Sequence, residues 1–297
     1  MNYKKILMIG NSFSICVGKN LPQMVASVPG NLLKLTSLYI GGCSLERHWS
    51  NVEADLAAAS PMERPKPYRV NTWYSGVVGP VSELPGCMTD YLDADNWDII
   101  TIQQASPLSW DPETYQPFAD KLIAYVRKHC PSSEIVIQQT WAYRADDPRI
   151  TTVAEPEWGF HQETMHQKLT ANYTNLAKKY GFRIIPMGNA VKLARENEAH
   201  SFRVPTPEEL AKFTWPDFPP QASDPVGKYF WGRNKNDPEF KLRCDYIHLN
   251  IRGEYLQAAV WFKTLFEQPA TAITYNHPEL PESDCEFLRN IAQQATI

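Results

Sequence analysis

The sequence predicts an α/β fold, a three-layer α/β/α sandwich around a mainly parallel five-stranded sheet. Three observations carry that expectation. Short apolar runs, such as Ile6-Leu7-Met8-Ile9, alternate along the chain with segments of helical periodicity. The runs lack the polar alternation of a half-solvated strand, as expected for parallel strands covered on both faces. The chain of 297 residues, 43% hydrophobic, is long enough for one large core. A single domain over 1–297 is therefore expected, with insertions near 61–86 and 200–240.

The elements follow in order. Tyr3 to Ile9 reads as the first strand, ending at Gly10. Leu21, Met24, Val25 and Val28 lie at helical spacing, so 20–28 reads as a helix. Leu33 to Ile40 is a second strand closed by Gly41-Gly42, and Leu45 to Ala59 is a helix. Residues 61–86 carry Pro, Trp and Tyr and suggest a hairpin through Tyr68 to Val78. A short helix at Met88–Leu92 precedes the third strand, Trp97 to Ile102. Thr114 to Cys130 is helical and Ser133 to Gln138 is the fourth strand. The helix Phe160–Tyr180 is stopped by Gly181. Phe182 to Pro186 is the fifth strand, with a helix at Gly188–Glu198. After the second insertion, Asn250–Phe266 forms the last core helix, and residues 281–293 form a terminal one.

Composition narrows the partners. The net charge of −4 argues against nucleic acid, which needs clustered Lys and Arg. No apolar run reaches the roughly 20 residues of a membrane span. Met1-Asn2-Tyr3-Lys4-Lys5 leads directly into the first strand, so a cytoplasmic location is the expectation for the chain as given; a leader removed earlier would look the same. The six cysteines are scattered without a C-x-x-C pair and read as free thiols, so neither a structural metal nor a cofactor is expected.

In a doubly wound sheet, ligands bind beyond the carboxyl ends of the strands. Ser12, Gly42 and Gln103-Gln104 all fall at those ends. Serine becomes a nucleophile when a histidine takes its proton and a carboxylate orients that histidine. Asp245 and His248, three apart in Cys244-Asp245-Tyr246-Ile247-His248, supply both partners ahead of the last core helix. The set points to acyl transfer through Ser12, with His248 as base and Asp245 as orienter. The oxyanion needs donors. Candidates are the N–H groups of Ser12 and Gly42 and the side-chain amide of Gln104, or of its neighbour Gln103.

Taken singly, these residues have plainer readings. Ser12 suits a helix N-cap, His248 an ordinary loop, Gly41-Gly42 a tight turn. Their coincidence at one rim favours the catalytic reading. Trp141, Tyr143 and Arg144 follow the fourth strand at the same rim. Trp215, Phe218, Tyr229, Phe230 and Trp231 sit in the second insertion. These aromatics read either as a small local core or as a surface for stacking sugar rings, with Arg144 or Arg233 able to hold a carboxylate. Gln103, Trp141, Tyr143, Arg144 and Trp231 are the candidate substrate-binding residues.

The motifs resemble those of the SGNH (GDSL-like) hydrolases. Gly10-Asn11-Ser12 is similar to the first block, with Asn where Asp is usual. Gly41-Gly42 matches the glycine of the second, and Asp245-x-x-His248 the last. The third block, usually Gly-x-Asn-Asp, is here Gln103-Gln104-Ala105-Ser106, so Gln103, Gln104 or Ser106 stands in for its asparagine. The resemblance implies a flavodoxin-like fold and a metal-free serine esterase acting on acyl esters, often acetyl groups on sugars. A non-catalytic carbohydrate-binding protein and an acyl transferase are the competing expectations.

A histidine base works only when neutral, and an unperturbed imidazole titrates near ~6.5. Ester hydrolysis is therefore expected to fall as pH drops through that value, read as kcat/KM between pH 5 and 8. A flat profile contradicts His248 as base.

Overall fold

A computed structural model of the chain describes every residue except 200, 221, 222, 235 and 236, so part of the expected insertion 200–240 lies outside the described residues. The elements run β1 (Asn2–Gly10), α1 (Ser12–Ile15), α2 (Leu21–Ala26), β2 (Asn31–Tyr39), α3 (Leu45–Leu56), β3 (Tyr68–Tyr74), β4 (Ser82–Gly86), α4 (Met88–Leu92), β5 (Ile99–Ile102), α5 (Phe118–His129) and β6 (Glu134–Gln138). There follow α6 (Gln162–Tyr180), β7 (Arg183–Ile185), α7 (Met187–Asn197), α8 (Pro207–Leu210), β8 (Val226–Asn234), β9 (Asp237–Leu249), α9 (Ile251–Phe266) and α10 (Glu282–Gln294).

The main sheet has the order β4-β3-β2-β1-β5-β6-β7. Its five strands β2-β1-β5-β6-β7 are parallel, as the apolar runs predict, in the doubly wound order of the flavodoxin-like fold that the resemblance implies. β1 lies between β2 and β5, and Ile6 to Ile9 are no more than 1% exposed. One face is covered by α9 with α2, α7 and α10, the other by α3, α4 and α5. The apolar run of α9, with Leu256, Val260, Trp261 and Phe262 all fully buried, explains why this helix sits centrally.

The first insertion enlarges the sheet beyond five strands. β3 adds antiparallel to β2 and β4 to β3. The expected hairpin at Tyr68–Val78 is real in its first strand, but the return strand lies later, at Ser82–Gly86, after the turn through Gly76 and Gly79. The helix expected from Thr114 begins at Phe118, because Pro117 donates no backbone hydrogen bond and stands at its N-cap.

The second insertion holds a two-stranded antiparallel ribbon, β8–β9, separate from the main sheet. Asp245 and His248 consequently lie on a strand rather than on a loop. Lys241-Leu242-Arg243-Cys244-Asp245-Tyr246 alternates charged and apolar residues, the period-two signature of that strand. Asn250, the N-cap of α9, ties the ribbon down. Its Oδ1 accepts from the N–H groups of Arg252 and Gly253, and its Nδ2 donates to the carbonyls of Asp224 and Gly227.

Candidate active site

Ser12 stands where β1 gives way to α1. Asn11 caps that helix, its Oδ1 accepting from Phe13 N at 3.0 Å. Ser14 folds back so that its Oγ reaches Asn11 O at 3.2 Å. A Cβ on residue 10 would meet Ser14 Oγ at 2.2 Å, so Gly10 leaves the room into which that hydroxyl folds back.

The other two groups arrive from the ribbon. His248 Nε2 lies 2.9 Å from Ser12 Oγ, and His248 Nδ1 lies 2.9 Å from Asp245 Oδ2. Asp245 Oδ1 accepts from the backbone N–H of Ile247 and of His248, both at 3.1 Å. These two bonds curl the chain so that residues three apart face each other. Burial works against ionised Asp245. The bond and charge of His248, with the two backbone donors, outweigh it and hold the carboxyl down at about 2. An ionised Asp245 orients the imidazole with its proton on Nδ1, leaving Nε2 free to accept from Ser12.

The walls of the site hold this geometry. Phe13 stacks on Trp141 with ring centroids 4.1 Å apart and meets the His248 ring at 5.6 Å. Trp141 Nε1 donates to Ile247 O at 2.9 Å, and Arg144 N donates to Tyr246 O at 3.0 Å. The segment after β6 thus pins the stretch of β9 between Asp245 and His248.

The expected substrate-binding roles of Trp141, Tyr143 and Arg144 do not hold. All three are at most 1% exposed and offer no surface to a ligand. Tyr143 donates to Ser106 Oγ, and the Arg144 guanidinium is engaged by Asp146 and Cys244. Burial pushes the Cys244 thiol up to about 12, so it stays protonated beside Asp245. Trp231 differs: it is half-buried on β8, where its Nε1 donates to Asp217 O. With Leu210, Phe213, Tyr229, Arg243 and Tyr246 it lines a cleft of about 600 Å3. A second cleft, of about 490 Å3, adjoins the end of β9 and is lined by Lys19, Lys228, Asn250, Glu254, His277 and Glu279.

Of the oxyanion candidates, the N–H groups of Ser12 and Gly42 have no hydrogen-bond partner among the described residues. They stand at the ends of adjacent parallel strands. Gly42 has φ +62°, a left-handed conformation suited to glycine. Gln104 is a correction. Its Oε1 accepts from Leu45 N and Ala105 N, and its Nε2 donates to Thr114. Being 1% exposed, it braces the loop after β5 and presents no donor to a substrate. Gln103 is likewise buried, with its Nε2 on Asn11 and its Oε1 receiving Gln138.

The sequence reasoning passed over Gln138 and Gln257, which join Gln103 beneath Ser12. The repeated tripeptide Ile102-Gln103-Gln104 and Ile137-Gln138-Gln139, at the carboxyl ends of β5 and β6, was the available signal. Among the described residues no group of three or more His, Cys, Asp or Glu could hold a metal ion, and no helix is long and apolar enough to cross a membrane.

The model of a family described as a domain of unknown function, DUF4886, matches residues 5–202. No curated protein matches the chain. Among solved structures, a DUF4886 family protein from Bacteroides uniformis is 22% identical with a TM-score of 0.75, over 99% of this chain and 95% of that one. A provisionally named GDSL-like lipase from Parabacteroides merdae is 12% identical with a TM-score of 0.48, over 89% of this chain and 96% of that one. A member of the lipolytic G-D-S-L family from Veillonella parvula is 11% identical with a TM-score of 0.42, over 89% of this chain and all of that one, 100%. GDSL-like proteins are thus among the structural neighbours, and the fold is the α/β sandwich with a mainly parallel sheet that the motifs implied.

Two outcomes are expected at Asp245. Its folded pKa lies below the ordinary carboxylate value, so its contribution to stability is complete above about pH 4 and is lost as pH falls through about 2. Carboxyl NMR should give a titration midpoint for Asp245 near 2. Asp245→Asn should keep the fold, monitored by circular dichroism, while lowering kcat by roughly 10⁴-fold, because an amide favours the wrong imidazole tautomer.

Proposed function

The chain belongs to the DUF4886 family, and from that premise we propose that it is a serine esterase working through Ser12, His248 and Asp245. The observation that carries the reading is the unbroken relay from Ser12 Oγ through His248 to Asp245, with both contacts at 2.9 Å. In this reading Ser12 Oγ attacks the ester carbonyl as its proton passes to His248 Nε2. The tetrahedral oxyanion is met by the free N–H groups of Ser12 and Gly42. His248 returns the proton to the leaving alcohol, and an acyl ester remains on Ser12. Water then repeats the sequence, with His248 again as base, and the acid is released. Asp245 stays ionised throughout and stabilises the imidazolium.

The preferred substrate is an acyl, most simply acetyl, ester of a carbohydrate. Support comes from the cleft beside β9. Its Lys19, Lys228, Glu254, His277 and Glu279 bring hydrogen-bonding groups suited to a polyhydroxylated alcohol, beside the apolar Leu249 and Ile251.

A fluorophosphonate probe should label Ser12, located by peptide mass spectrometry, and Ser12→Ala should abolish both labelling and turnover. Acetyl, butyryl and longer nitrophenyl esters should be tested beside acetylated sugars, with preference expected for the acetyl compounds. A folded wild-type chain that neither labels nor hydrolyses any of them contradicts the proposal. Retained sugar binding in that case would favour the binding protein, and acylated sugar products would favour the transferase.

A further inference from the structure

A chain of buried carboxamides runs beneath Ser12, and the reaction steps above do not use it. Asn11 is 1% exposed, so its polar atoms need partners inside the protein. Its Oδ1 accepts from Phe13 N at 3.0 Å and from Gln103 Nε2 at 2.7 Å. Its Nδ2 donates to Cys43 O at 3.0 Å. Gln103 Oε1 accepts from Gln138 Nε2. Gln138 Nε2 also reaches Phe13 O at 2.8 Å, and Gln257 Nε2 donates to the same carbonyl at 2.7 Å. Trp261 Nε1 closes the network on Gln138 Oε1 at 2.8 Å.

These bonds converge on two backbone segments. One is the turn Asn11-Ser12-Phe13, held on both sides of the nucleophile. The other is the loop Gly41-Gly42-Cys43, reached through the Cys43 carbonyl one residue beyond Gly42. Gly42 is exposed, and nothing lies within 4 Å of where its Cβ would be, so packing does not place it. Its loop is held by the bond from Ile40 N to Gly10 O, by the turn bond from Cys43 N to Ile40 O, by burial of Cys43, and by the Asn11 side chain on Cys43 O. The free N–H groups of Ser12 and Gly42 must point at one oxygen to act together, and donor placement of this kind is worth orders of magnitude in rate.

We propose that Asn11 is a positioning residue that fixes the separation of the two oxyanion donors, its Oδ1 holding the Ser12 turn and its Nδ2 holding the Gly42 loop through the Cys43 carbonyl, while Gln103, Gln138 and Gln257 keep its carboxamide oriented. The chemistry explains the residue type. A carboxylate at position 11 has the same shape but no donor, and its second oxygen would face the Cys43 carbonyl oxygen and repel it. The catalytic consequence rests on the esterase reading; the geometric tie does not.

The test uses two variants of the full chain. Asn11→Asp replaces the donor to Cys43 with a charged oxygen that repels its carbonyl. Gln103→Met removes the donor that orients Asn11 and serves should Asn11→Asp fail to fold. In 15N-labelled protein the amide signals of Ser12 and Gly42 should shift in both variants, while amides of β7 stay in place. With a nitrophenyl acetate substrate, kcat should fall about tenfold to hundredfold in Asn11→Asp, and by a smaller factor in Gln103→Met, with KM within about twofold of wild type. A folded variant with unmoved Gly42 and Ser12 amides overturns the proposal, as does unchanged kcat in a wild-type enzyme that turns over. Should wild type neither hydrolyse esters nor react with the fluorophosphonate, the esterase reading fails, and the amide signals alone decide the tie.

Discussion

A single hydrogen bond joins the two ends of this protein's candidate site. Ser12 Oγ and His248 Nε2 meet at 2.9 Å across 236 positions of sequence. Neither residue has any local reason to find the other. The parallel sheet solves the first half of that problem by delivering Ser12 to the carboxyl end of β1, between the ends of β2 and β5. The second half falls to the ribbon, which lies outside the sheet and must be fastened to it. Trp141, Arg144 and Asn250 do the fastening through backbone atoms of β9 and of the chain at the start of β8. Hence the residues around Ser12, Asp245 and His248 are large, buried and already hydrogen-bonded: they serve as a foundation for that contact.

Much of this was legible in the sequence. The five parallel strands were marked by apolar runs closed with glycine or polar residues, and the glycine after α6 marked that helix's end. Ser12, Asp245 and His248 stand out in the sequence as a hydroxyl, a carboxylate and an imidazole at the strand ends, and the fold brings the three into one hydrogen-bonded line. What remained hidden depended on tertiary packing. Trp141, Tyr143 and Arg144 follow a strand at the ligand rim, where an aromatic and a cation suggest recognition. Only their neighbours reveal that they are enclosed. Gln104 has the donor an oxyanion hole requires, but its amide is occupied by Leu45, Ala105 and Thr114, none of which is a sequence neighbour except Ala105. The sequence reading assigns no element to 226–249, although Lys241 to Tyr246 alternate charged and apolar residues as a strand does.

The carboxamides beneath the nucleophile illustrate a general constraint. Buried polar groups are tolerated when every atom is paired, and then they specify one arrangement more sharply than apolar packing does. Asn11, Gln103, Gln138 and Gln257 come from β1's exit, β5's exit, β6 and α9. Amides carry donors and acceptors without net charge, so the network adds no field of its own to that of the Asp245–His248 pair.

The hairpin β3–β4 takes no part in the chemistry, yet it sits on the β2 side of the sheet and therefore shelters the strand that leads to Gly42. Its outer strand is only five residues long and carries Glu83 and Pro85. Proline withholds an amide hydrogen and glutamate brings charge, two features that discourage a neighbouring polypeptide from extending the ladder. The flank of the sheet nearest the Gly42 loop is thereby finished against intermolecular β-pairing.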